Sequence, residues 1–315
     1  MVTGKTLKDK LNLEQITWNG FTWIDVVPPS PREAEYLAAH FPFHPLDLDD
    51  TMSRIQRPKI DEYSSYLFFV FNFPRYNKEE RALMSSQVSA FIGPDYVVTL
   101  HNGELKPLVK LFKECQLDEE SRKEYMGHGS AYLLYRILDR LVDYCLPILS
   151  KVEDNLESIE DILFKEKAGG EITREISRIR RDIIVFRRII WPMRSVAASL
   201  EPKLRRFTTE DLSVYFGDLV DHLDRIWDDL GMYKEIGEGL SDTTYILSTE
   251  RTNEVIRLLT VIATIMMPIT VVASVYGMNV TLPFQNSDYA FLYVILITLA
   301  IIGGMLYFFK RIHII

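Results

Sequence analysis

Gly277, Met278 and Asn279 set a glycine, a thioether and a carboxamide side by side between two uncharged apolar runs, Leu258–Tyr276 of 19 residues and Tyr289–Phe309 of 21. Backbone and amide oxygens in that position suit a cation that keeps its water, because each can accept a hydrogen bond from a coordinated water molecule. Asn253, Ile256, Thr260, Ala263, Met267, Thr270, Ser274 and Gly277 recur every third or fourth residue and so share one helical face. That face is small, hydroxylic or thioether-bearing, with amides at both ends in Asn253 and Asn279. A stripe of this kind serves close helix packing in one reading and lines a pore in the other. The bracketing amides favour the pore. No acid occurs in the 30 residues from Leu258 to Ser287. Mg²⁺ gives up water reluctantly and needs no carboxylate cage, whereas an inner-sphere zinc site calls for His, Cys or carboxylate, and the spans carry none.

The elements that position these groups follow from length and charge. Each apolar run is long enough for a hydrocarbon core of about 30 Å. Two spans per chain cannot enclose a pore, so conduction requires an oligomer around an axis. Arg251 and Arg257 precede the first span and Lys310 and Arg311 follow the second, while Gly277–Asp288 has no Lys or Arg. Both termini are therefore expected in the cytoplasm and the loop outside. The chain has 315 residues and net charge −8; residues 258–315 carry one acid and two bases, which leaves −9 on residues 1–257. An acidic body excludes a nucleic-acid partner, which needs clustered Lys and Arg. Cys115 and Cys145 form no metal or redox spacing and read as reduced thiols. Met1–Lys10 has lysines without an apolar segment behind them, so no signal peptide is expected.

No glycine-rich phosphate loop, His-Glu-x-x-His pair or nucleophile elbow appears, which argues against an enzyme and leaves no catalytic residues to name. His40, His44, His101, His128, His222 and His313 are scattered, and only His222 lies beside a run of acids. Residues 1 to about 128 read as α/β. Phe21–Val27 is a strand, Pro31–His40 a helix, and Tyr66–Phe73 an aromatic, β-branched run; Gln87–Ile92 and Tyr96–His101 flank a hairpin turn at Gly93-Pro94-Asp95. A helix pattern starts after Leu105. Beyond it the pattern predicts one helix from Ala131 to about Lys167, a break at Gly169-Gly170, and a second helix from about Thr173 to Phe207. A third is expected to be capped by Thr208 or Thr209, with Glu210 and Asp211 in its first turn. With no strong stop before Gly277, that helix would reach about 100 Å, and one so long stands only if partner helices cover it.

Thr252-Asn253-Glu254-Val255 through Tyr276-Gly277-Met278-Asn279, with Gln56-Arg57-Pro58-Lys59 and Tyr66-Leu67-Phe68, resembles the CorA family of divalent-cation transporters over the whole chain in outline. The resemblance implies an α+β, mostly α, homopentameric funnel in the cell membrane. Its parts would be a cytosolic α/β domain (1–130), an antiparallel helical hairpin (131–207) and a stalk helix (208–257). A pore-lining span (258–276), an outer selectivity loop (277–288), a second span (289–309) and a basic tail (310–315) would follow. It implies a Mg²⁺ channel, also passing Co²⁺ and Ni²⁺, driven by the membrane potential. Gly277, Met278 and Asn279 would form the selectivity loop. Asn253, Met267 and Thr270 would line the pore, and Ile256 and Leu259 would form its hydrophobic constriction. The family is closed by cytosolic Mg²⁺ between subunits, and Asp218, Asp221 and His222 resemble one side of that sensor. Asp49, Asp50 and Asp61 are the open alternatives for the opposing side. The tail of Lys310, Arg311 and His313 is shorter than in many members, and the outer loop has a single acid, Asp288. Cation attraction would then rest more on amide dipoles. Two other readings remain: a Zn²⁺ transporter of the same superfamily, against which Met278 counts, and a membrane-anchored oligomeric scaffold.

Overall fold

The computed structural model describes residues 11–52, 56–165, 170–278 and 288–312, so Asn279 and His313 lie outside the described residues. The chain falls into two compact units, Met1–Ser241 and Asp242–Ile315.

In the first unit, β1 (Leu13–Trp18) and β2 (Phe21–Val26) form a hairpin over Asn19-Gly20, both at positive φ, the turn that matches strand twist. Then come α1 (Pro31–His40), α2 (Pro45–Met52), β3 (Lys59–Glu62), β4 (Leu67–Asn77), β5 (Ala82–Ile92) and β6 (Tyr96–His101). They make one mixed sheet in the order β1-β2-β6-β5-β4-β3, antiparallel except where β2 lies parallel to β6. The β5–β6 hairpin turns at the expected Gly93-Pro94-Asp95, with Ile92 opposite Val97.

Eight consecutive β4 residues, Leu67 to Pro74, are buried, as a strand covered on both faces must be. On one face Leu37, Phe43 and Leu48 meet Phe68, Val70, Phe91 and Val98, with the Phe43 and Phe91 rings stacked at 3.9 Å. On the other, Phe69, Phe71 and Phe73 run along β4 beneath two later helices.

After the sheet come α3 (Lys106–Leu117), α4 (Glu119–Met126), α5 (Gly129–Asp143), α6 (Cys145–Lys165), α7 (Gly170–Leu204), α8 (Ser213–Tyr276) and α9 (Ala290–Arg311), and the two that lie over β4 are α6 and α7. The single helix expected from Ala131 to Lys167 is thus two. Pro147 has no N–H for the Asp143 carbonyl and its ring crowds that oxygen, so the helix breaks at Tyr144. The cap expected at Thr208 or Thr209 is also displaced. Thr208 Oγ1 accepts the Glu210 N–H and Asp211 Oδ1 accepts the Ser213 N–H at 3.0 Å. These local turns hold residues 208–212 out of the helix, which starts at Ser213 instead. Cys115 and Cys145 are buried free thiols, and burial pushes the Cys115 thiol up to about 12.

α8 runs unbroken for 64 residues despite three glycines in its middle. Two of these are contact points. A Cβ on Gly231 would sit 3.1 Å from Arg187 Nη1, and one on Gly237 3.3 Å from Arg180 Cγ and 3.9 Å from Leu156 Cδ2. Arg180 and Arg187, seven residues apart on α7, bring a stem carbon and a guanidinium nitrogen respectively against α8 where it has no side chain. Gly217, by contrast, has open space around it. Gly217→Ala should therefore stabilise the chain by about 0.5–1 kcal/mol through helix propensity. Gly237→Leu should cost about 1–3 kcal/mol through overpacking. Thermal unfolding of the two variants checks the contrast, and equal shifts would refute it.

Candidate functional site

The second unit is built from the C-terminal part of α8 and from α9, each with a window apolar enough to cross a membrane. Burial divides α8 sharply. Val261 is buried at 7 % exposure, and Ile265, Pro268, Val272 and Tyr276 are half-buried, all along one face. Val294, Thr298, Ile301, Met305 and Phe309 make the matching half-buried face of α9. The opposite face of α8 is left open. Asn253, Ile256, Leu259, Ala263, Met267, Thr270 and Ser274 are all exposed, Met267 at 69 %.

Hydroxyl geometry adds polarity of one sign. Thr260, Thr264 and Thr270 donate to the carbonyls of Ile256, Thr260 and Met266 at 2.7, 2.7 and 2.9 Å. With its proton committed to the backbone, each hydroxyl oxygen has only lone pairs left to offer. Such a group accepts from the water of a hydrated cation and gives nothing to an anion. Thr270 offers its lone pairs on the exposed stripe, whereas Thr264 is half-buried and Thr260, expected on that stripe, lines a groove between α8 and α9. At the end of α8 the Gly277 N–H reaches the Ala273 carbonyl at 3.0 Å and the Met278 N–H reaches that of Val275 at 3.2 Å. The helix closes there with the negative end of its dipole. A side chain at Gly277 would bring its Cβ within 3.2 Å of the Ala273 oxygen.

In the first unit, Asp139 of α5 meets Asp218 and His222 of α8, with potential ligand atoms all within 4.8 Å of one another. His222 Nε2 is 3.7 Å from Asp218 Oδ1, and its Nδ1 is 4.0 Å from Asp143 Oδ1. Burial and then the neighbouring Asp143 push the Asp139 carboxyl above the ordinary carboxylate range, the sign of crowded negative charge. The donor set, two carboxylates and an imidazole half-open to solvent, fits a hydrated divalent cation.

Asp218 and His222 were visible in the sequence. Asp139 and Asp143 were passed over, although their i, i+4 spacing on one helix face was a usable signal. Asp221 is exposed outside this group. The other acids sit elsewhere. Lys59 bridges Asp50 at 2.7 Å and also binds Asp61. Burial lowers the Lys59 pKa, but its hydrogen bonds to Asp50 and Asp61 raise it above the ordinary range. Asp49 is exposed, and Asp224 pairs with Arg194.

Residues 18–311 match the model of the CorA-like Mg²⁺ transporter protein family. This chain belongs to the CorA family. The cobalt/magnesium transport protein CorA of Thermotoga maritima is 31 % identical over 265 residues, 84 % of this chain and 73 % of that protein. The solved structure of the complete CorA magnesium transporter of Methanocaldococcus jannaschii superposes with a TM-score of 0.82 at 25 % identity, covering 95 % of this chain and 93 % of that one. The zinc transport protein ZntB of Pectobacterium carotovorum is 24 % identical over 236 residues, 73 % of this chain and 72 % of its own length. CorA membership makes this chain a membrane-located divalent-cation transporter and not an enzyme. It also accounts for the mostly helical architecture with an N-terminal α/β sheet domain, a long helix and a C-terminal apolar helix.

Proposed function

We propose that this CorA-family chain is a Mg²⁺ channel that also passes Co²⁺ and Ni²⁺, assembled as a homopentamer in the lipid bilayer and driven by the membrane potential. One observation carries this reading: burial on this part of α8 is confined to the face toward α9, and the stripe from Asn253 to Ser274 lies on the side left exposed, together with Leu258, Ile262 and Met266. Five copies around an axis would turn that face into a pore wall. Ile256 and Leu259 then form the hydrophobic constriction, and Met267, Thr270, Ser274 and Ala263 line the wider part. Asn253 guards the cytosolic mouth. Gly277, Met278 and Asn279 form the outer selectivity loop, with both termini in the cytoplasm. The functional divisions fall at 130, 207, 257, 276, 288 and 309.

Closure works by negative feedback. Mg²⁺ bound at Asp139, Asp218 and His222 neutralises charge that otherwise repels, and it holds the stalks shut through tighter binding to the closed state. Asp49, Asp50 and Asp61 are the opposing candidates on a neighbouring chain. A cation that uses Asp50 or Asp61 must displace the Lys59 ammonium.

Flux into liposomes, with Mg²⁺ and Zn²⁺ measured side by side, tests the assignment. Mg²⁺ entry that exceeds Zn²⁺ entry is expected. Faster Zn²⁺ entry would replace it with the second reading, a Zn²⁺ transporter, which the similarity to ZntB supports.

A further inference from the structure

A groove of about 240 Å³ opens between α8 and α9, lined by Arg257, Thr260, Val261 and Phe309. Its walls are apolar except at one end. Thr260 has already given its hydroxyl proton to the Ile256 carbonyl at 2.7 Å, so it has no donor to offer. Arg257 is the last residue before the first uncharged run, and Lys310 directly follows both the second run and the groove residue Phe309. Among the described residues, neither Arg257 nor Lys310 has an ion-pair partner. Both stand where α8 enters and α9 leaves the apolar layer, hence at one membrane face.

We propose that this groove is a binding site for an anionic glycerophospholipid. The Arg257 guanidinium receives the phosphate through its fork of donors, and Lys310 adds a second positive charge. The acyl chain runs along Val261 and Phe309 into the hydrocarbon. Three features single out a lipid. The groove is apolar along its length, which a free phosphate cannot use. Its cation-bearing end lies at the boundary of the bilayer. Basic residues at such a boundary attract anionic headgroups. The inference rests on the membrane location of the two helices and not on which ion is carried.

Native mass spectrometry of the full-length assembly, loaded with phosphatidylglycerol or with phosphatidylcholine, tests it. Wild-type protein should retain phosphatidylglycerol preferentially. Arg257→Gln should lower that retention about fivefold, the effect of one interfacial cation, and Arg257→Lys should keep most of it. The same spectra report the oligomer mass, so a loss of lipid is read only in intact assemblies. If Arg257→Gln does not assemble, Phe309→Ala takes its place and should shorten retention of both lipids. Equal retention of the two lipids by wild type, undiminished retention in Arg257→Gln, or displacement by millimolar inorganic phosphate would each overturn the proposal. So would an assembly that holds no lipid because a second copy of the chain fills the groove.

Discussion

Asn279→Ala should abolish Mg²⁺ uptake, with a strain dependent on this transporter unable to grow on low Mg²⁺. The expectation rests on what a hydrated ion requires. The apolar runs contain no carboxylate, and between Leu259 and Gly277 the exposed stripe of α8 offers small side chains, the Met267 thioether and the Thr270 hydroxyl, whose proton points back to the helix. In the proposed channel, capture of the ion at the outer end therefore depends on the helix-end carbonyls at Gly277 and on the carboxamide two residues later. A hydrogen bond to a charged group contributes about 1.5–3 kcal/mol, and loss of even one such contact per ion is worth at least one decade in binding. In the proposed pentamer, five equal losses around the axis should reduce uptake by about two decades or more. Glutamine keeps the amide but moves it outward by a methylene, so Asn279→Gln should also fail if position matters as much as chemistry. Normal growth of the alanine variant on low Mg²⁺ would remove Asn279 from the selectivity loop.

The second large effect concerns closure. Asp218→Ala should leave transport intact and shift the cytosolic Mg²⁺ concentration that closes the channel upward by about tenfold, within the usual range of coupling between sites. Flux from vesicles preloaded with graded Mg²⁺ measures it, and an unchanged closing concentration would exclude Asp218. Asp139 supplies an independent readout. Its carboxyl is held above its unfolded pKa by burial and by Asp143, so the folded state disfavours the ionised form. The sign follows: metal-free protein loses stability as pH rises from the unfolded pKa of Asp139 to its raised folded-state pKa, and regains it as pH falls back through that window. Asp139→Asn should thus raise the melting temperature of metal-free protein at neutral pH by about 2–4 °C and blunt the stabilisation by Mg²⁺. A variant that melts lower without metal and responds fully to Mg²⁺ would show that Asp139 is not part of the site.

Much of this architecture was legible in the chain because its signals are local. Leu258–Tyr276 and Tyr289–Phe309 declare themselves by length and absence of charge, and Gly93-Pro94-Asp95 marks its hairpin through three adjacent residues. The Asn19-Gly20 turn was equally local and was passed over, as was Pro147, whose effect on the Asp143 carbonyl splits the expected helix in two. The stripe on α8 needed only a helical period, although one of its expected members, Thr260, lines the groove toward α9.

Other features depend on residues far apart in the chain. Asp61 stands two residues from Lys59 on the same side of β3, but nothing near Lys59 says that Asp50 of α2 also closes on it. Asp139 and Asp143 join Asp218 and His222 only when α5 packs against α8, with the Tyr135 ring 6.0 Å from that of Phe216. The middle glycines of α8 read as weak points for a helix, yet two are the places where Arg180 and Arg187 cross it. By itself the sequence determined which segments are long and apolar enough to span a membrane and which residues recur on one helical face, since hydropathy and periodicity belong to consecutive residues. Only the tertiary structure decided which acids stand close enough to share a cation and which face of α8 is half-buried. Those are properties of pairs brought together by packing, and no spacing along the chain encodes them.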